Sequence, residues 1–223
     1  MKKEFKKIGL VAILSLFSYG GAIAQEGAKK NVIGAGVSAN MYYGIGGNLS
    51  YQRMLSPKLG VGARVVAVPL KYDDYLGTSL EFTNGKGFYT DISIGATYFF
   101  LGDATEAKFS MYSGLGLGYI MDKTTENIKY AESNVPFTNT DIRSGISGNL
   151  TLGTSYKMGP GKLFLEFMPS SIITGKDKDI YDYPAGSLTD ANGNAIAATF
   201  GDYEYTISFP TTFTWTLGYT ISF

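Results

Sequence analysis

Cysteine and histidine are both absent from the 223 residues, and each absence removes a class of chemistry. Without cysteine there is no disulfide to staple a small secreted core and no thiolate metal site. Without histidine the chain lacks the side chain that ordinarily titrates near neutrality and serves as a catalytic base. Long apolar runs are missing too: past the first two dozen residues no uncharged stretch approaches the roughly 20 apolar residues of a spanning helix. A membrane role, if there is one, falls to strands. What is abundant is glycine (29), tyrosine (17) and phenylalanine (14), in a chain of one-domain length.

The first residues have a separate logic. Lys2, Lys3, Lys6 and Lys7 precede an apolar run from Ile8 to Phe17, and Ala22-Ile23-Ala24 then offers small residues where a signal peptidase reads. This pattern predicts a secretory signal peptide over 1–24, cleaved before Gln25, with 25–223 as a single domain. The run is too short for a membrane anchor, and no cysteine follows for lipid attachment. The segment carries four lysines and one glutamate, so the mature chain has 15 basic and 18 acidic side chains, a formal charge of −3. Nucleic acid is not an expected partner at that charge.

Thr206 to Phe223 carries the fold signal. Ile207, Phe209, Thr211, Phe213, Trp215, Leu217, Tyr219, Ile221 and Phe223 share one face; Ser208, Pro210, Thr212, Thr214, Thr216, Gly218, Thr220 and Ser222 share the other. Alternation of this length predicts a strand with one apolar and one polar side. The polar side is uncharged and small, which suits the crowded interior of a narrow barrel whose apolar face meets lipid. Seven earlier segments alternate in the same way, for example Ile92, Ile94, Ala96, Tyr98 and Phe100 against Asp91, Ser93, Gly95 and Thr97. Their connections alternate in length: short at Ser56, Asp103 and Gly159, long over Pro69 to Gly87, Asp122 to Asp141 and Pro169 to Tyr205, with one tight turn at Tyr42 to Gly44 on the long side. Asn84-Gly85 reads as a turn signal in the first long connection. Aromatics on the apolar faces form two groups, Tyr51, Tyr98, Phe100, Phe109, Tyr156, Tyr219 and Phe223 at the short-turn ends and Tyr119, Phe167 and Phe209 at the other. Two such girdles mark two membrane interfaces. A soluble lipocalin-type barrel would instead present the charge-free Gly, Ser and Thr face to water.

The expected fold is therefore all-β, an eight-stranded antiparallel up-and-down transmembrane β-barrel, with short turns in the periplasm and long loops outside. The mature chain resembles the small outer-membrane barrels of the OmpA and OmpX kind. Its last residues, with Gly218, Tyr219, Ile221 and Phe223, resemble the C-terminal signal that the barrel-assembly machinery reads. The resemblance implies the bacterial outer membrane as location, with its lipid and the assembly machinery as partners. Enzymatic outer-membrane barrels characteristically use a histidine, so a non-enzymatic role is expected, with no catalytic, cofactor or metal residues assigned. That role is structural or a surface interaction through the long loops with an unknown extracellular ligand. The alternative is a narrow, small porin-like channel for small solutes or ions.

Local motifs add little chemistry. Asp190-Ala191-Asn192-Gly193-Asn194 lacks the glycine position and bidentate glutamate of a calcium loop and reads as a hairpin turn on Asn192-Gly193. Asp177, Asp179 and Asp182 are interleaved with Lys176 and Lys178, which points to solvated loop charge. Tyr181, Tyr183, Tyr203 and Tyr205 either contact a partner or extend the strands above the membrane. Four charged residues fall on inward faces, and matching their depths predicts Arg64 with Glu166 and Asp91 with Arg143, since an isolated charge in a packed interior is costly. Because the terminal motif is expected to direct assembly, deleting Phe223 should lower outer-membrane levels far more than deleting one loop residue, as read by immunoblot of membrane fractions. Equal levels would remove the motif from the reading.

Overall fold

The computed structural model describes residues 31–73, 80–130, 136–182, 192, 198–205 and 212–223. The expected signal peptide, Tyr183, Gly193 and Phe209 lie outside these described residues. Period-2 alternation becomes strand throughout: β1 (Asn31–Asn40), β2 (Gly44–Met54), β3 (Leu59–Asp73), β4 (Leu80–Leu101), β5 (Phe109–Tyr130), β6 (Pro136–Met158), β7 (Gly161–Asp182), β8 (Ala198–Tyr205) and β9 (Thr212–Ser222). Each neighbouring pair is antiparallel, and β1 pairs with β9 while β7 pairs with both β6 and β9, so eight strands close into a barrel. Phe223 N–H donates to Asn31 O at 2.9 Å and Asn31 N–H to Phe223 O at 3.0 Å, which finishes the seam.

The faces follow the alternation. Ile45 and Leu115 are each 70% exposed on the outside, as are Val37, Ile94, Leu117 and Leu217 to a lesser degree, whereas Ser38, Asn48, Ser93, Thr151 and Thr214 are buried within. An apolar exterior around a polar interior is the inverse of a soluble barrel and matches a lipid-facing wall. Exposed Tyr98, Phe100, Phe109, Tyr156 and Phe223 ring the short-turn end. At the other rim stand Tyr119, Phe88 and Phe167, the last stacked on Phe213 at 5.9 Å between ring centres and tilted against Trp215 at 4.6 Å. Tight turns need glycine where φ is positive: Gly44 at 97° after the β1 to β2 turn and Gly159 at 64° between β6 and β7.

Three sequence expectations are corrected here. The long connections are mostly strand: β4, β5 and β7 have 22 residues each and β6 has 23. A membrane-spanning strand needs only about 9–11, so about half of each rises beyond the lipid. Asn84-Gly85 is no turn but lies within β4, opposite Asp73 and Tyr72, next to a bulge between Phe82 and Asn84. The polarity that suggested a loop reflects a sheet wet on both faces. Asp177, Asp179 and Tyr181 likewise lie on β7 rather than in a loop. The final strand is described only from Thr212, with β8 a separate segment pairing with β7 further out.

Candidate functional site: the lumen and its outer rim

From the short-turn end upward, the lumen begins with a polar cap. Asp103 Oδ1 accepts backbone N–H bonds from Thr105, Glu106 and Ala107 at 2.8, 2.6 and 3.2 Å. Partial burial works to raise its pKa, but these three donors and the charge of Lys162 prevail and hold it below the usual carboxylate range. Lys162 Nζ donates to Asp103 O at 2.6 Å and Ser110 Oγ at 3.0 Å. Sequence reasoning missed this inward charge, although it has the parity of Phe164 and Glu166, because it directly follows the short turn at Gly159. Above it Val32, Met54, Phe99, Ala104 and Tyr112 form an apolar layer, with the Phe99 and Tyr112 rings 4.9 Å apart.

At mid-height Arg64 Nη2 lies 2.6 Å from Glu166 Oε2. Register explains the meeting: β3 and β7 face each other across the barrel, and both side chains point inward. Tyr112 OH donates to Glu166 Oε1 at 2.9 Å, and Arg64 Nη1 reaches Thr151 Oγ1 at 3.3 Å and Met168 Sδ at 3.2 Å. Gly153 is required beside them, since a Cβ there would fall on the Tyr112 ring. Around the pair is a cavity of about 100 Å³, lined by Ser50, Gln52, Thr97 and Asn149 among others, with room for a few waters.

A second apolar layer closes the lumen above the pair. Val66, Val68, Tyr89, Ile120, Met168 and Ile172 pack together, and Tyr43 from the β1 to β2 turn stacks on Tyr89 at 4.5 Å. Asp91 lies within this layer, opposite Val66 and Ile120, and its Oδ2 accepts from Ser170 Oγ at 3.4 Å. The expected pairing of Asp91 with Arg143 does not occur. Arg143 stands one inward row higher, opposite Asp122 and Asp177, and its Nε lies 3.3 Å from Asp177 Oδ2 with Nη2 3.8 Å from Asp141 Oδ2. The nearer carboxylates win because Coulomb attraction falls with distance, and Asp177 had been placed in a loop.

The rim above the lipid is acidic on its inner face. Asp141, Asp177 and Asp179 bring carboxylate oxygens within 4.8 Å of one another. Oxygens so arranged suit a hard cation chemically, but Arg143 already lies among them. Burial, then the hydrogen bond and charge of Asp177, push Asp141 up to about 7. Burial also raises Asp122, against the hydrogen bond from Tyr43 and the charge of Arg143. The lysines that interleave in sequence do not interleave in space, because Lys176 and Lys178 point to the outer face. Of the loop tyrosines, Tyr181 packs on Phe137 with ring centres 6.2 Å apart, while Tyr203 and Tyr205 lie opposite Asp177 and Gly175 in the backbone register of β8.

No protein-family profile matches the sequence, and no curated protein matches it either. Its fold is shared with solved outer-membrane proteins. A major outer membrane protein from Thermus thermophilus superposes with a TM-score of 0.56 at 14% identity, over 87% of this chain and 98% of that one. CarO from Acinetobacter baumannii superposes at 0.44 with 14% identity, over 85% and 97% of the two chains. The N-terminal β-barrel domain of Pseudomonas aeruginosa OprF gives 0.38 with 13% identity, over 87% and 98%. The chain thus has the eight-stranded β-barrel fold of the Thermus outer membrane protein.

Two outcomes follow from this geometry. Glu166→Gln keeps the acceptor for Tyr112 but strands the Arg64 charge, and should cost about 3 kcal/mol of folding free energy in urea titrations of the lipid-embedded barrel; an unchanged midpoint would mean that Arg64 finds water instead. A carboxyl whose pKa is raised on folding favours the folded state while protonated. For Asp141 that advantage is complete below 3.8 and lost as the pH rises through about 7. Hydrogen exchange at 138–145, corrected for its intrinsic rate, should therefore report more frequent opening at pH 8 than at pH 5, and Asp141→Asn should remove most of the difference.

Proposed function

We propose that the chain is an integral protein of the bacterial outer membrane, exported by a cleaved signal peptide over 1–24, with a non-enzymatic structural or surface-interaction role. The observation that carries the non-conducting part of this reading is the double closure of the lumen. Apolar layers at Tyr112 and at Tyr89 lie below and above a polar cavity, and Arg64 with Glu166 crosses the middle. An eight-stranded barrel is just wide enough to be filled by side chains, and a permeating ion would have to part both layers. The tall sheet of β3 to β8 then offers the surface for contact with a partner outside the cell.

Support for the location comes from the apolar exterior, the two aromatic rims and the shared fold. Cell fractionation tests it: a heat-modifiable band in the outer membrane is expected, and a soluble periplasmic protein would end the proposal. Planar-bilayer recordings test the sealed lumen. Unmodified protein should give no resolved steps, whereas regular steps that disappear on narrowing the lumen with Gly116→Leu would establish the narrow channel instead.

A further inference from the structure

The inner face of the protruding sheet gathers acceptor oxygens without matching donors. One row across β5, β6 and β7 holds Asp122, Arg143 and Asp177, and the next row outward holds Thr124, Asp141 and Asp179. Among the described side chains Arg143 is the one cation on this face of the rim, because Lys123, Lys176 and Lys178 alternate to the other side. The stretches 74–79, 131–135, 183–191, 193–197 and 206–211 contain neither lysine nor arginine. Four carboxylates thus meet one guanidinium, a surplus of three negative charges. Arg143 approaches Oδ2 of Asp177 and Oδ2 of Asp141. The Oδ1 atoms of both are shielded from solvent and accept no hydrogen bond, and the same holds for Oδ1 of Asn139, two residues along the same face of β6.

Asp122 gives a separate indication. It is only 6% exposed, and although Tyr43 donates to its carboxyl, Oδ1 has no hydrogen-bond partner. It stands opposite Arg143 on the row of Asp177, and the charge of Asp177 acts on it, so the carboxyl is turned toward the cluster. A buried carboxylate oxygen without a donor is costly, and several such oxygens together suit a cation. Carboxylate oxygens of Asp141, Asp177 and Asp179 lie within 4.8 Å of one another. Ligands at about 2.4 Å from a calcium ion stand at most about 4.8 Å apart, so one ion can touch all three. Magnesium demands a near-ideal octahedron at about 2.0–2.1 Å, which side chains fixed in a ladder on two adjacent strands meet poorly. We propose that Asp141, Asp177 and Asp179 bind a calcium ion on the inner face of the protruding sheet, with Asn139 as a neutral oxygen ligand and Asp122 as a further negative charge beside it. The ion takes the Oδ1 side of the cluster and leaves Arg143 in place on the Oδ2 side. It ties β6 to β7 beyond the lipid, where apolar burial does little to hold the sheet.

The test uses the purified, folded barrel in neutral micelles at pH 8, stripped with chelator and titrated with calcium chloride. Magnesium chloride, and sodium chloride at matched ionic strength, are the controls. Readouts are calorimetric calcium uptake and hydrogen exchange at 138–145 and 174–181, with 109–116 near the short-turn end as internal reference. One ion per chain is expected, half-saturating at about 0.1–1 mM as in extracellular calcium modules. Exchange in the two rim segments should slow with calcium, and the reference should not change. Asp179→Asn, which removes a ligand that Arg143 does not engage in the ion pairs above, should raise the half-saturating concentration about tenfold or more. Asp182→Asn, on the outward face of β7, should leave it unchanged. Should Asp179→Asn fail to fold, the placement of the slowed exchange in unmodified protein decides instead. Absence of calcium uptake overturns the site, as does equal binding by the Asp179→Asn and unmodified proteins. Slowing of the reference segment to the same degree, or an equal effect from sodium at matched ionic strength, overturns it as well. Equal half-saturation by magnesium overturns the choice of calcium. The site depends on the sheet alone, so a barrel that reaches the outer membrane without binding calcium defeats this inference and leaves the placement intact.

Discussion

Closure of the backbone hydrogen-bond ladder is the constraint from which the rest follows. In hydrocarbon an unpaired N–H or C=O costs several kcal/mol, so a sheet can span only if it has no edge. Here β1 and β9 meet along their length, and the last rung joins Asn31 to Phe223. Once the ring is closed at eight strands, the interior radius is set, and that radius decides which side chains fit inside. Gly153 beside Tyr112, and Gly34 beside Ser50, are consequences of that limited width.

A narrow polar interior brings a second problem, charge without bulk water. The molecule solves it locally. Arg64 and Glu166 neutralise each other at mid-height with Tyr112 as a further donor, and Lys162 is held by the Asp103 turn. Apolar layers above and below screen the central pair from both solvents. Such an arrangement makes the lumen a packed core turned inside out, with the central charges paired and the apolar area given to lipid.

Beyond the membrane the same two-residue period separates charge by sign. Along the outer part of β7 Asp177 and Asp179 gather on the inner face with Asp141 and Arg143, and Lys176 and Lys178 stand on the outer face above the aromatic rim. Each face thus has its own electrostatic character, although the sequence reads as a mixed and nearly neutral stretch. Tyr43, reaching from the short β1 to β2 turn to Tyr89 and Asp122, joins this outer region to the upper apolar layer. Through that contact the rim and the upper closure of the lumen share side chains.

Alternation along each strand, read from residues alone, determined the strand number, the inward and outward faces and the inward position of Arg64, Glu166 and Asp91. It could do so because a strand's side-chain direction is a local property with a period of two. Which inward charges meet depends on shear and on strand length, and neither is local. Asp91 and Arg143 were matched by counted depth, yet one lies among Val66 and Ile120 while the other answers to Asp177 and Asp141. Strand length was misread because Asn84-Gly85 and the charged stretch at Asp177 look like loop when a sheet is wet on both sides. Only the tertiary structure could settle these points, since hydrogen bonds to neighbouring strands, rather than apolar burial, hold those residues in the sheet.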